Sequence, residues 1–172
     1  MLHHERRGVR QEIHNYDSPG YYFITICTKN RKNYFGEIKN NKIELSTIGI
    51  IIKKCWQEIP IHFNEVKLGM YSIMPNHFHG IIHIIVGNGH ARSLRWIKMQ
   101  KGNNKRQFEA IPVIIGSFKS AATKLSHKID NKFTWQKSYF DKFINNRKMY
   151  NDISQYIEHN VDNWENDEFN KE

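Results

Sequence analysis

Apolar and polar positions change period several times along the chain, and each change marks an element. Tyr21 to Thr28 (YYFITICT) is a run of β-branched and aromatic residues that predicts a buried strand. Tyr34 to Ile38 leads through Lys39-Asn40-Asn41 into Lys42 to Leu45, which predicts a short hairpin. From Ser46 the period becomes helical: Ile48, Ile51, Ile52, Cys55, Trp56 and Ile59 recur at three- and four-residue steps, and Pro60 ends the run. Val66 to Met74 and His77 to Val86 read as antiparallel strands joined across Pro75-Asn76. A second helix is expected from Ile114 to Ile129, with Phe118, Ala121, Ala122 and Leu125 on one face. An extended segment follows from Phe133 to Phe140. A third helix is expected from Lys148 to about Trp164, its face carrying Met149, Ile153, Tyr156, Ile157 and Asn160. This order predicts an α+β fold, an antiparallel sheet with helices packed on it.

Length and composition narrow the class. A chain of 172 residues, 39% hydrophobic and 25% charged, has the size and balance of one globular domain, here taken as residues 1–172. Two stretches stand apart: a basic N-terminal arm, 1–20, and a loop, 87–107, punctuated by Gly and Asn and rich in Lys and Arg. The formal net charge of +9 attracts polyanions, of which nucleic acid is the commonest inside cells. Arg6, Arg7 and Arg10 in the arm and Arg92, Arg95 and Lys98 in the loop are candidate phosphate contacts, and Tyr16 and Trp96 could stack unpaired bases. Cys27 and Cys55 form no CxxC pair, and the N-terminus is too polar for a signal peptide, so a reduced, cytoplasmic and nucleoid-associated setting is expected.

The most informative stretch is Met74-Pro75-Asn76-His77-Phe78-His79-Gly80. On a strand, residues two apart face the same way about 6.6 Å apart, so His77 and His79 can converge on one cation. His83 shares that face but lies roughly 13 Å from His79, too far to join them. Two imidazoles leave most coordination positions empty, which suits Lewis-acid chemistry once a third protein ligand arrives from elsewhere. An HxH pair in a strand can equally be a pair of packed histidines. A cupin-type metal site is excluded because the next acid downstream is Glu109.

MPNHFHGII resembles the His-hydrophobic-His signature of the single-tyrosine HUH transposases that act on single-stranded DNA, in particular the REP-associated tyrosine transposases. YYFITICTKNRKNYFGEI, FKSAATKL, WQKSYFDKFI and YNDISQYIEHN match in order, so the resemblance covers most of the chain from about Tyr21 to Asn160. It implies a ferredoxin-like HUH palm, metal-binding roles for His77, His79 and Asn160, and Tyr156 as nucleophile. Tyr156 and Asn160 are four residues apart and share a helix face, which fits that pairing independently. Periodicity alone leaves Tyr156 open as a core aromatic, and Tyr139 and Tyr150 are competing nucleophiles without an amide side chain four residues on. The family usually has Pro after the Asn; Val161 stands there instead, which removes a helix stop.

The resemblance implies cutting and rejoining of single-stranded DNA beside hairpin repeats, with Mg²⁺ or Mn²⁺ as cofactor and a covalent 5′-phosphotyrosine intermediate. The protein would act as a monomer or a homodimer. The competing classes are a domesticated, non-catalytic binder of DNA hairpins and a metal-dependent hydrolase in which water attacks.

Overall fold

A computed structural model of the chain describes residues 19–85 and 110–170. The basic arm and loop, with Arg6, Arg7, Arg10, Tyr16, Arg92, Arg95, Trp96 and Lys98, lie outside them. The elements run in the order β1 (Gly20–Cys27), β2 (Gly36–Lys39), β3 (Lys42–Leu45), α1 (Thr47–Gln57), α2 (Ile59–His62), β4 (Val66–Ile73), β5 (His77–Ile84), α3 (Ala110–Ser126), β6 (Phe140–Ile144) and α4 (Arg147–Glu158).

Four strands form an antiparallel sheet in the order β4-β5-β1-β6, and β2 and β3 pair separately as a hairpin. The fold is thus the α+β sheet-and-helix class expected from the pattern. Asn40 and Asn41, at φ 50° and 55°, turn the hairpin in the left-handed region that Asn tolerates better than most residues. Ser46 caps α1, its hydroxyl accepting from Gly49 N at 3.0 Å and donating to Tyr34 O at 2.6 Å. Gly49 is required there, because a side-chain carbon would run into the Phe35 carbonyl. Pro60 does end α1, yet it also opens the short α2, where its fixed φ is already helical.

The sheet has apolar residues on both faces, which explains why β1 and β5 are apolar without a break. On one face, Tyr22, Ile24 and Ile26 of β1 and Phe78 and Ile82 of β5 pack against Ile52 and Trp56 of α1 and Ile114, Ile115 and Phe118 of α3. On the other, Phe23, Ile81 and Ile144 receive Ile153 and Ile157 of α4. This second face carries the site.

Three boundaries differ from the sequence expectation. The helix α3 starts at Ala110 rather than Ile114 and stops at Ser126, three residues before Ile129, which is 57% exposed. The strand after it forms at Phe140–Ile144, where β1 offers partners for it. The last helix ends at Glu158, with turns and a 3-10 turn at Trp164–Asn166 in place of a run to Trp164. Val161 therefore does not prolong the helix: the hydrogen-bonded turns Asn160 N to Ile157 O and Asn163 N to His159 O bend the chain back over the sheet.

Candidate active site

Strand register brings His77 and His79 to the α4 face: His79 stands opposite Thr25 of β1 and Ser72 of β4, and His77 opposite Cys27. Their rings lie 4.6 Å apart between centroids, and both residues are fully buried. The turn before His77 is anchored by Met74 N to His77 O and by Thr28 N to Asn76 O, each at 2.9 Å.

Hydrogen bonds define which ring nitrogens face the site. Asn76 donates through Nδ2 to the carbonyls of Arg31 (3.1 Å) and Phe169 (2.9 Å), so its Oδ1 is the atom that meets His77 Nδ1, at 2.9 Å. An amide oxygen can only accept, hence His77 Nδ1 carries a proton, and in the neutral ring Nε2 holds the lone pair. His79 Nδ1 lies 2.8 Å from the Thr25 hydroxyl, a partner that can accept its N–H in the same way.

Tyr156 reaches down from α4, and its hydroxyl lies 3.2 Å from His79 Nε2. The Asn160 side chain hydrogen-bonds the same hydroxyl. Asn160 is buried, and its Oδ1 has no hydrogen-bond partner among the described residues, so Nδ2 makes that bond. Burial holds the Tyr156 hydroxyl well above its ordinary value; the Asp167 charge pushes the same way, and the hydrogen bond from Asn160 opposes both.

The structure thus brings together four predicted residues, His77, His79, Tyr156 and Asn160, from two elements and one turn. The competing tyrosines go elsewhere: Tyr150 packs edge-on against Tyr21, and Tyr139 packs beside the main core. His83 stacks on Tyr21 with centroids 4.0 Å apart, away from the pair.

Sequence reading missed Thr25, Asn76 and Asp167. Asp167 Oδ2 lies 3.9 Å from His77 Nε2, with 5% of the side chain exposed. No periodicity marks Asp167, which lies on the turn following α4, and burial raises its carboxyl above the usual range. Among the described residues, His, Cys, Asp and Glu side chains alone form no metal cage of three. The Asn160 amide oxygen must contribute if an ion is to be held. The residues fit one: two imidazoles with lone pairs inward and an unpaired buried oxygen are a donor set suited to a divalent cation.

No protein-family model matches the chain. A search of curated proteins finds an uncharacterized protein of Haemophilus influenzae, 37% identical over 167 residues, spanning 96% of this chain and 93% of that protein. The two chains belong to one family. Among solved structures, a REP-associated tyrosine transposase bound to a REP hairpin aligns over 87% of this chain and 71% of its own, with 17% identity and a TM-score of 0.57. This chain has the fold of that transposase. A crystal structure of a provisionally named transposase from Deinococcus radiodurans also aligns, over 83% of this chain and 91% of its own, with 16% identity and a TM-score of 0.49. The transposase fold carries the resemblance read from MPNHFHGII from sequence into tertiary structure. No helix among the described residues is long and apolar enough to cross a membrane.

Proposed function

We propose that the protein is a metal-dependent nuclease and strand transferase for single-stranded DNA flanked by hairpin repeats, with Tyr156 as nucleophile. The observation that carries this is the Tyr156 hydroxyl set 3.2 Å from His79 Nε2 and hydrogen-bonded to Asn160. The solved transposase of the same fold was captured on a REP hairpin, which supports a hairpin substrate here.

A phenol with its proton held by burial is a weak nucleophile, so attack requires positive charge beside it. Mg²⁺ or Mn²⁺ bound by His77, His79 and Asn160 would supply that charge and polarise the scissile phosphate. Tyr156 Oη then bonds to phosphorus as the P–O3′ bond breaks; the phenol gives up its proton and the departing 3′ oxygen gains one. One phosphodiester replaces another, so a 3′ hydroxyl can reverse the step and rejoin strands without a further energy source. The half-buried α4 face holds Tyr156 in place through Phe23, whose ring it meets edge-on with centroids 6.2 Å apart.

The test is incubation with a single-stranded hairpin oligonucleotide carrying repeats from the source genome, with Mn²⁺ or EDTA, resolved on a denaturing gel. A metal-dependent protein–DNA adduct that vanishes in Tyr156→Phe, with hairpin affinity unchanged, is the expected result. Tight binding without adduct would mean a non-catalytic binder. Cleavage without adduct would mean that water attacks.

A further inference from the structure

Past the histidines, where β1 ends and β5 begins, the chain forms a cleft that the mechanism above leaves unused. Residues 30–33 after β1, Asn76 before β5 and Phe169-Asn170 line it, and its volume is about 740 Å³. Small-molecule sites commonly measure roughly 300–1,000 Å³, so there is room for a nucleotide. Asn76 joins the cleft to the site. Its Oδ1 meets His77 Nδ1 at 2.9 Å, while its Nδ2 donates to the carbonyls of Arg31 and Phe169, one from each wall.

The lining is cationic and rich in amides. Arg31 and Lys32 bring positive charge, Asn30, Asn33 and Asn170 bring exposed amides, and no carboxylate is among the described lining residues. Asp167, two residues before Phe169, turns one carboxylate oxygen to Phe169 N at 2.6 Å and the other towards His77. The Arg31 guanidinium lies 4.3 Å over the Phe169 ring, which fixes its charge at the wall. The Lys32 ammonium lies 4.7 Å over Tyr34, whose hydroxyl donates to the Lys132 carbonyl, so a second loop meets the cleft at the same end of the sheet.

We propose that this cleft holds an unpaired nucleotide of the single-stranded segment beside the hairpin, with Asn30 and Asn33 bonding the base and Arg31 and Lys32 its phosphate. An asparagine amide both donates and accepts, which matches the mixed edge of an unpaired base, and Lys and Arg neutralise phosphate. Asn76 precedes His79 by three residues, about 10 Å along a strand, so a DNA chain with its scissile phosphate at Tyr156 reaches the cleft within about three stacked nucleotides. The assignment rests on the DNA reading of the previous subsection, and its test needs neither metal nor cleavage.

Fluorescence anisotropy in EDTA compares two probes, the hairpin oligonucleotide with its single-stranded flanks and the same hairpin trimmed to a blunt stem. The proteins are full-length wild type, Lys32→Ala and Asn33→Ala, both exposed positions, and the control Lys53→Ala. Lys53 is exposed on α1, which packs on the other face of the sheet, and its loss removes the same charge as Lys32→Ala. Wild type should bind the flanked probe more tightly than the blunt one. Lys32→Ala and Asn33→Ala should each weaken the flanked probe by about fivefold and leave the blunt one unchanged, and Lys53→Ala should match wild type on both. Flanked-probe affinity that survives both cleft substitutions overturns the assignment, and equal losses on the two probes overturn it by placing the stem there. Wild type that binds neither probe overturns the DNA reading itself, and the cleft assignment with it.

Discussion

Cys27 and Tyr156 hold their protons for the same reason, burial on or beside the sheet face that carries the histidines. Burial pushes the Cys27 thiol from 9.0 up to about 11, with Arg31 pulling weakly the other way. The unfolded chain releases this proton near 9.0 while the folded chain keeps it, so the folded state binds more protons between the two values and stability falls as pH rises through that window. The loss reaches at most about 2–3 kcal/mol for a shift of this size. Urea midpoints at pH 8.5 and 10.5 should therefore drop further for wild type than for Cys27→Ala; parallel drops would show that the thiol takes no part. The same residue-scale logic separates the histidines: Asn76 and Thr25 give His77 and His79 their orientation, whereas His83 stacks on Tyr21.

At the scale of elements, what matters is how each piece is stopped. The hairpin turn at Asn40-Asn41 and the Ser46 cap place α1 so that Trp56 reaches Phe78, the residue between the two histidines, with ring centroids 4.5 Å apart. Gly80 is needed at this contact, since a Cβ there would lie 2.5 Å from the Trp56 ring. Ser46→Ala removes both the acceptor for Gly49 N and the donor to the Tyr34 carbonyl, and should cost roughly 1–2 kcal/mol. A chemical-denaturation midpoint indistinguishable from wild type would argue against the cap. At the other end of the chain, α4 stops at Glu158 although the apolar stripe and Val161 would let it continue. The turns that follow put Asn160 beside Tyr156 and Asp167 beside His77, so the helix end builds half of the site.

For the whole molecule, the sheet separates a core of packing from a face of chemistry, with α1 and α3 on one side and α4 on the other. The formal charge of +9 adds a long-range attraction for polyanions, the proposed DNA substrate among them, that belongs to no single residue. Affinity for a single-stranded hairpin, measured by fluorescence anisotropy, should fall at least tenfold between 50 and 200 mM salt, because bound cations are released from each phosphate contacted. A salt-insensitive affinity would mean that phosphate contacts contribute little.

The sequence by itself determined the element types, the antiparallel sheet and the convergence of His77 with His79, because strand and helix periods are local and each apolar run shows its face. The helical spacing of Tyr156 and Asn160 was equally legible, and the motif around the histidines linked the two pairs through resemblance. Helix ends were not: α4 stops where turns become better satisfied against the sheet, a comparison that no local window contains. Thr25 and Asn76 orient the imidazoles through contacts across 54 and 1 positions of sequence, and only the fold shows that both are made in one place. Asp167 is the clearest case: its spacing marks nothing, and its carboxylate gains meaning only when the chain, turning back after α4, buries it opposite His77.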